Sequence, residues 1–313
     1  PHDTDSIDNA PMMNPVLADF VAARARMEPH VTHTPLLTSR ALSDATGCDV
    51  RLKAELFQRT GSYKIRGPLN KFTFLSDEQK RRGVICSSAG NHAQGVALAA
   101  RIHGIRAVVA MAENATPSKI EATKAYGAEV VLHGRIWDEA NEKALELVER
   151  DGLTYIHPFD DDQLIMGQGT VGLEIVQDWP EVDVAIVPIG GGGLISGVSL
   201  ALKAHNPKIR IIGVESSGAP AMQRSVSEGR LTTLDQVDCI IDGLCVKRVG
   251  TRNFEIVRQH VHAVVALPDE RMFEAVVWLM HYAKLVPEGA AAAPVAALLN
   301  GLIDVPAGSR VVC

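Results

Sequence analysis

The sequence predicts an α/β fold in which two open, mostly parallel sheets are flanked by helices and a small lobe is inserted into a larger one. The first observation is a series of short, continuous apolar runs, the pattern of parallel strands buried on both faces. The second is that helical stretches separate these runs, as crossovers between parallel strands require. The third is a compact alternation of strands and helices over residues 76–158. It predicts a small domain at 76–158 between two parts of a large domain, 1–75 and 159–313.

The predicted elements follow in order along the chain. Residues 1–12 are polar and aperiodic, and we expect a flexible tail there. Leu17, Phe20, Val21 and Ala25 have the spacing of one apolar helix face. Apolar runs predict strands at 50–54, 84–86, 107–111, 128–132, 184–189, 209–214 and 263–267. Helical periodicity predicts helices at 93–103, 137–149, 194–205 and 272–283.

Composition limits the classes of function. With 313 residues, 46% hydrophobic content and a net charge of -6, the chain predicts a soluble globular protein. Dispersed basic residues and only 4% aromatic residues argue against a nucleic-acid surface, and small charged metabolites remain as ligands. No apolar run has the length of a membrane span, and no signal peptide is recognised before the first helix. The cysteines are odd in number without a C-x-x-C pair, which predicts reduced thiols and a cytoplasmic location: Cys48, Cys86, Cys239, Cys245 and Cys313.

The first segment with chemical meaning is G-S-Y-K-I-R-G at residues 61–67. It places Lys64 beside an aromatic ring and between glycines, just ahead of a predicted helix. A lysine that is desolvated has a lowered pKa, and its amine can then attack a carbonyl group. Lys64 is therefore the candidate nucleophile.

The second segment is S-S-A-G-N-H-A-Q-G at residues 87–95, between a predicted strand and a predicted helix. Hydroxyl groups, backbone N–H groups of small residues and a helix N-terminus at such a turn form a receptor for a carboxylate. The Asn91 amide can hydrogen-bond an oxyanion. His92 has no carboxylate partner nearby in sequence, and we expect a structural role for its ring.

The third segment is V-P-I-G-G-G-G-L-I-S-G at residues 187–197, with Gly190, Gly191, Gly192 and Gly193 between a strand and a helix. Such a turn binds a phosphate through backbone N–H groups and the helix dipole. Ile195 stands where a dinucleotide fingerprint needs its third glycine, and the lysine of a P-loop is absent. A lysine nucleophile, an amide for a phenolate oxygen and a cradle for one phosphate together describe pyridoxal 5'-phosphate.

The motifs also resemble a known family. The segments at 61–67 and 88–95, G-Q-G-T at 167–170, G-G-G-G-L at 190–194 and E-G-A at 288–290 are similar, in this order, to those of the threonine dehydratase and serine racemase family. This family consists of fold-type II, tryptophan synthase β-like enzymes that use pyridoxal phosphate. The resemblance runs from about Thr34 to the C-terminus.

The resemblance implies roles for individual residues. Lys64 would be the Schiff-base lysine and the proton shuttle at the substrate Cα, and Tyr63 stands where the family usually has Phe. Asn91 would bond the 3-oxygen of the cofactor. Gly243 would cover a face of its ring, and Glu288 would lie near its edge. The phosphate and the substrate carboxylate would be bound by Gly190, Gly191, Gly192, Gly193 and Leu194, and by Ser88, Ala89, Gly90, Asn91 and His92, respectively.

Two departures from the family concern the metal and the pyridine nitrogen. Cation-binding relatives have an acidic residue shortly after the position of Glu215, but residues 216–224 contain none, and we expect no metal. The hydroxyl or thiol that bonds the pyridine nitrogen follows the final strand in the family. The sequence given ends at Cys313, inside that predicted strand, so no residue is assigned to this role.

These features predict an ammonia-lyase that converts an L-β-hydroxy amino acid to a 2-oxo acid and ammonia. Threonine or serine is the expected substrate, while 3-phenylserine and 3-hydroxyaspartate remain open. A serine racemase is disfavoured because Ala89 replaces the serine that would be its second acid, and Phe159 stands where racemases tend to carry Asn. A nicotinamide oxidoreductase and a non-catalytic binding protein are further alternatives. By resemblance we expect a homodimer or homotetramer.

Overall fold

The computed structural model describes residues 13–313, so the predicted tail at 1–12 lies outside the described residues. Among residues 13–313, the strands are β1 Leu36–Thr38, β2 Asp49–Lys53, β3 Val84–Ser87, β4 Ala107–Met111, β5 Glu129–Leu132, β6 Thr154–Tyr155, β7 Val184–Pro188, β8 Arg210–Ser216, β9 Ala263–Leu267 and β10 Arg310–Val312. The helices are α1 Leu17–Met27, α2 Arg40–Thr46, α3 Arg66–Phe72, α4 Asp77–Arg82, α5 Asn91–His103, α6 Pro117–Ala125, α7 Trp137–Asp151, α8 Asp162–Asp178, α9 Gly193–His205, α10 Ala221–Glu228, α11 Thr251–His260, α12 Asp269–Tyr282 and α13 Gly289–Leu299.

The larger sheet has six strands in the order β1-β2-β10-β7-β8-β9. Only the β1–β2 pair is antiparallel, and the other four pairs are parallel. Strand β10 lies in the interior of this sheet: Val311 is in register with Val50 of β2 on one side and with Val184 of β7 on the other. The carboxyl ends of β7 and β8 therefore lie at one edge of the sheet, where the glycine-rich turn follows β7.

The smaller sheet has four strands, all parallel, in the order β5-β4-β3-β6. All four come from residues 84–155, within the segment predicted as a small lobe. The predicted fold class, two mostly parallel sheets flanked by helices, is confirmed. The division of the chain into domains at residues 75/76 and 158/159 remains a prediction.

Helix α1 shows where the sequence prediction is wrong. The residues that it buries are Phe20, Ala23 and Met27, whereas Val21 is 49% exposed and Ala25 is exposed. Helix α1 packs against α8 and α3. The residues that it buries there are three or four positions apart, as is usual for surface helices. The predicted face mixed residues of this buried side with residues of the solvent side.

The cysteines also differ from the expectation that all five thiols are reduced. Cys239 and Cys245, in the irregular segment between α10 and α11, form a disulfide. Cys48, Cys86 and Cys313 are free. The spacing of six residues gave no signal, because nothing in the sequence showed that this segment turns back on itself.

Among residues 13–313, none of the helices combines the length and apolar character needed to cross a bilayer.

Candidate active site

Lys64 lies in a 3₁₀ turn, Tyr63–Ile65, that leads directly into α3. Ser62 caps this turn, and its Oγ accepts the backbone N–H of Lys64 at 3.4 Å. The side-chain amine of Lys64 donates to the carbonyl of Pro158 at 3.1 Å, and its Nζ is 5.4 Å from the centre of the Tyr63 ring. The predicted nucleophile is therefore held between the start of α3 and the segment that follows β6.

The surroundings of Lys64 favour its neutral form. Burial lowers the pKa of Lys64 to about 8, and the nearby charge of Glu288 partly opposes this shift. About a tenth of the amine is thus unprotonated at pH 7, far more than for an exposed lysine, as a nucleophile or general base needs. The same burial, with a smaller contribution from Glu288, raises the pKa of the Tyr63 phenol, which stays protonated.

Two histidines close to this amine are neutral. Burial and, to a smaller extent, the charge of Lys64 lower the pKa of His92 to about 3. Burial also lowers the pKa of His157 to about 4, with Asp161 acting in the opposite direction. The ring of His92 bonds the Ile156 carbonyl through Nε2 at 3.0 Å, which supports the expected structural role. What His92 could offer a substrate carboxylate is its backbone N–H in the first turn of α5.

The predicted carboxylate receptor is a tight turn between β3 and α5. Ser88 donates its backbone N–H to Ala110 of β4, and its Oγ accepts the N–H of Gly90 at 3.2 Å. Helix α5 begins at Asn91, so the first N–H groups of the helix follow the turn directly. Ala89, between these residues, offers no proton-transferring group.

Asn91 and Glu288 meet across the site. The Asn91 amide nitrogen donates to both carboxylate oxygens of Glu288, at 3.0 and 2.9 Å. The structure thus brings together two residues that the resemblance had placed at the 3-oxygen and at the edge of the cofactor. It also explains the influence of Glu288 on the pKa of Lys64 and of Tyr63.

The four glycines form the turn between β7 and α9. Gly192 has φ +98°, in the left-handed region, and it is the N-cap of α9. Within the described chain, the backbone N–H groups of Gly191 to Leu194 have no hydrogen-bond partner. They are available to an anion at the N-terminus of α9, as the phosphate-cradle prediction requires.

The sequence suggests that this turn is rich in glycine so that a phosphate can approach its backbone. The structure shows a second requirement, close contact with the rest of the protein. A Cβ at Gly190 would overlap the carbonyl oxygen of Gly243, and a Cβ at Gly191 would overlap the ring of Phe159. The space around these residues is therefore filled by the protein itself. A side chain here would displace the turn before it could meet a phosphate.

Sequence reasoning missed the residues that support this turn. The buried Asn253 of α11 donates to the carbonyls of Phe159 and Gly191, both at 3.0 Å. Asp160 accepts the first N–H groups of α11, from Thr251 at 2.9 Å and from Arg252 at 3.1 Å. No local pattern marks Asn253, which lies 62 residues after Gly191.

Glu215, where we expect no metal, caps helix α10 in this chain. Its carboxylate oxygens accept the backbone N–H groups of Met222 and Gln223 in α10, both at 2.8 Å. Burial raises the pKa of Glu215 to about 8, although these two bonds act in the opposite direction. The absence of a metal here remains an expectation.

The residues present fit pyridoxal phosphate. The glycine turn offers unpaired N–H groups for a phosphate, Lys64 offers an amine of lowered pKa for an aldehyde, and Asn91 offers an amide. The fold and the site together define a class, an α/β enzyme that binds an aldehyde cofactor carrying one phosphate. The chain belongs to the pyridoxal-phosphate dependent enzyme family, whose profile matches residues 27–313. The predicted cofactor and family are thereby confirmed.

The chain is similar to curated proteins along most of its length. L-threonine ammonia-lyase of Thermotoga maritima is 47% identical over 286 residues, which cover 91% of this chain and 71% of that protein. The Staphylococcus aureus (strain N315) protein named L-threonine dehydratase catabolic TdcB is 45% identical over 289 residues, which cover 92% of this chain and 84% of that protein.

Solved structures show the same architecture. Maize serine racemase superposes with a TM-score of 0.91 at 36% identity, covering 96% of this chain and 92% of that one. The processed form of threonine deaminase isoform 2 from Solanum lycopersicum superposes with a TM-score of 0.89 at 36% identity, covering 99% of this chain and 88% of that one. Both a racemase and a deaminase thus share this fold, and the residues of the site have to distinguish between the two reactions.

Proposed function

We propose that this protein is a pyridoxal-phosphate dependent ammonia-lyase that converts L-threonine or L-serine to a 2-oxo acid and ammonia. The observation that carries the proposal is the position of Lys64. Its amine, with a pKa of about 8, bonds the carbonyl of Pro158, whose neighbour Phe159 lies against Gly191 of the glycine turn. The similarity to proteins named L-threonine ammonia-lyase and L-threonine dehydratase selects the substrate.

Each part of the site has one task in this proposal. The N–H groups at the start of α9 hold the cofactor phosphate, and Asn91 bonds the 3-oxygen. Ser88, the backbone at 89–90 and the first turn of α5 orient the substrate carboxylate. Lys64, in its neutral form, removes the proton from the substrate Cα. When bound, pyridoxal phosphate supplies an electron sink for the charge that develops at Cα.

The two histidines near Lys64 are neutral. His92 and His157 carry no charge near neutral pH, because burial lowers the pKa of each. Neither competes with Lys64 as a cation. The ring of Tyr63, whose phenol stays protonated because burial raises its pKa, has its centre 5.4 Å from the Lys64 Nζ.

The test is a product analysis of the purified protein. With pyridoxal phosphate and L-threonine we expect equal amounts of ammonia and 2-oxobutanoate, and borohydride should attach the cofactor to Lys64, as peptide mapping would show. Absence of ammonia from both L-threonine and L-serine would contradict the proposal. D-serine appearing from L-serine as fast as pyruvate would assign the protein to the racemases.

The proposal also includes assembly as a homodimer or homotetramer. Helix α12 buries Met272, Ala275 and Leu279 on one side. On its outer side Phe273 and Val277 are exposed. Monomeric soluble proteins rarely expose such an apolar face, and a second copy of the chain would cover it. Light scattering should give at least twice the monomer mass of 33.6 kDa, and Val277→Glu should reduce it.

We propose a cytoplasmic location as well, on the evidence of the three unpaired cysteines and the absence of a C-x-x-C pair. Fractionation of the source cells, with activity recovered in the membrane-free extract, tests this. Activity confined to an exported fraction would contradict it.

A further inference from the structure

The disulfide Cys239–Cys245 closes a small ring at the rim of the proposed cofactor site. The ring lies between α10 and α11. Ile241 and Leu244 anchor it in the core, while Asp242 and Gly243 are exposed. Both cysteines are half-buried, and the neighbours of Cys239 in sequence, Asp238 and Ile240, are exposed, so a small thiol can reach the pair from the side of Cys239.

Two contacts connect this ring with the proposed cofactor site. The carbonyl oxygen of Gly243 lies against Gly190, where a Cβ would overlap it. The side chain of Ile241 lies against Gly289, the residue after Glu288 and the first of α13. The ring therefore supports the start of the phosphate turn and the segment that positions Glu288.

Two ion pairs connect the same rim with the helices of the smaller sheet. Asp242, inside the ring, pairs with Lys119 of α6. Lys247, two residues beyond Cys245, lies 3.7 Å from Asp138 of α7. Exposed ion pairs contribute little stability when both partners are free to move. These two ion pairs therefore depend on a fixed backbone at residues 239–247.

We propose that Cys239 and Cys245 form a reversible oxidation site. The disulfide holds residues 239–247, the rim of the proposed cofactor site, against Gly190 and against α6, and reduction of the disulfide loosens this segment. The inference rests on the proposed cofactor site. Disulfides in proteins of reducing compartments are commonly redox-sensing. Because the Cys239–Cys245 ring contacts the proposed cofactor site, its reduction would affect cofactor binding. The expected consequence of reduction is weaker retention of pyridoxal phosphate.

The chemistry is thiol–disulfide exchange. A thiolate of a small dithiol such as dithiothreitol attacks one sulfur of the pair, the S–S bond breaks, and a mixed disulfide forms. The first cysteine to leave does so as a thiolate; the second thiolate of the reagent then attacks the reagent sulfur of the mixed disulfide and displaces the cysteine bound there. The reagent becomes a cyclic disulfide, and Cys239 and Cys245 gain two electrons and two protons. A low-molecular-weight disulfide, such as oxidised glutathione, reverses the reaction.

The remaining cysteines do not share this reactivity. Cys48 and Cys86 are buried, and burial raises the pKa of the Cys86 thiol. Burial also raises the pKa of Cys313 to about 12, which leaves almost no thiolate near neutral pH. Among the described cysteines, exchange is therefore directed to Cys239 and Cys245.

Three measurements on the full chain test the inference. Alkylation in denaturant should count three thiols after treatment with oxidised glutathione and five after dithiothreitol. Trypsin should cleave the native reduced form faster after Lys247 and Arg248. Fluorescence titration should show pyridoxal phosphate bound about tenfold more weakly by the reduced form, equivalent to about 1.4 kcal/mol.

The control is the double variant Cys239→Ser with Cys245→Ser. It should resemble the reduced form in trypsin cleavage and cofactor affinity, and dithiothreitol should change neither. Equal affinity and equal cleavage of the three-thiol and five-thiol forms would overturn the proposal, as would five thiols after treatment with oxidised glutathione. Faster cleavage of the reduced form, with no cofactor bound by either form, would refute the proposed cofactor site and still demonstrate that reduction loosens the rim.

Discussion

Arg66 and Glu174 form a two-pronged ion pair that is closed to solvent on both sides. Arg66 Nη1 lies 2.7 Å from Oε1 of Glu174, Nη2 lies 2.9 Å from Oε2, and both residues are 0% exposed. Lys53 reaches the same carboxylate at 2.7 Å, and Glu55 binds the other edge of the guanidinium. Because Arg66 follows Lys64 by two positions, this pair fixes the turn that carries the reactive amine to α8.

The first prediction is that Glu174→Gln destabilises the protein by about 3–5 kcal/mol, since it leaves the buried amine of Lys53 without its counter-charge and removes one of the two carboxylates that bind Arg66. Urea denaturation measures the change. The exposed pair of Glu78 with Arg82 supplies the control, because Glu78→Gln should leave the midpoint unchanged. A Glu174 variant as stable as the parent would show that the charges are solvated.

The same pair gives a dependence of stability on pH. Burial alone would raise the pKa of Glu174, but its bonds with Arg66 and the charges of Arg66 and Lys53 lower it to about 2. A carboxyl group whose folded pKa is depressed stabilises the protein above its ordinary pKa of 4.5, and this contribution is lost as pH falls toward 2. The parent should lose stability over this range more steeply than Glu174→Gln.

The second prediction is that Lys64→Ala lowers turnover at least about a hundredfold, the usual contribution of a general base, without changing the fold. Ethylamine in the assay should restore part of the activity by replacing the missing amine. Lys208→Ala, an exposed position between α9 and β8, is the matched control and should keep full activity. Residual ammonia release within about tenfold of the parent would contradict the role of Lys64.

The third prediction uses the contact between Gly191 and Phe159. Gly191→Ala should weaken pyridoxal phosphate binding and lower the melting temperature, because the new Cβ overlaps the Phe159 ring. The effect should shrink in a Phe159→Ala background, where the ring is gone. Equal losses of affinity in both backgrounds would show that the new Cβ meets the cofactor and not the Phe159 ring.

The fourth prediction concerns the pH dependence of cofactor uptake by the apoprotein. Only the neutral amine attacks the aldehyde, so the rate should rise with pH to a plateau, with a midpoint of about 8 for Lys64. Glu288 favours the ammonium form, and Glu288→Gln should therefore shift the midpoint downward and speed uptake at pH 7. Stopped-flow absorbance measures both profiles. An upward shift of the midpoint in Glu288→Gln would contradict the conclusion that Glu288 raises the pKa of Lys64.

The fifth prediction separates elimination from racemisation. The methyl group of Ala89 can neither give nor take a proton, so the parent should form no D-serine from L-serine. Ala89→Ser supplies a hydroxyl group in the turn before α5, and we expect it to gain slow racemisation. Chiral chromatography reads both products, with Ser88→Ala as the control for the neighbouring hydroxyl. Formation of D-serine by the parent would refute this role of Ala89.

The sequence predicted those features that depend on local pattern. The buried parallel strands appear as continuous apolar runs, and all seven predicted strands are present among residues 13–313. The final strand, expected where the sequence given ends at Cys313, is β10. Strands β1 and β6 were not predicted, since a segment as short as Thr154–Tyr155 shows no periodicity. They form because neighbouring strands offer free hydrogen-bonding groups, which is a property of the assembled sheet.

The residues of the site, like the strands, were predictable where a local sequence pattern marks them. Lys64, Asn91 and the glycines stand in segments whose composition already indicates carbonyl, oxyanion and phosphate chemistry. Asn253 and the Cys239–Cys245 disulfide depend on contacts that only the folded chain creates. The bond of Asn91 with Glu288 spans 197 positions and likewise has no local signal.

The interior position of β10 bears on the order of events during synthesis. Residues 310–312 connect β2, on the side of Lys64, with β7, on the side of the glycine turn. A ribosome therefore releases both halves of the sheet long before it releases the strand that joins them. Until then the sheet is open between β2 and β7, and the turn of Lys64 is joined to the phosphate turn through the packing of α8 against α3 and α9. We expect the site to reach its final geometry when residues 310–312 close the sheet.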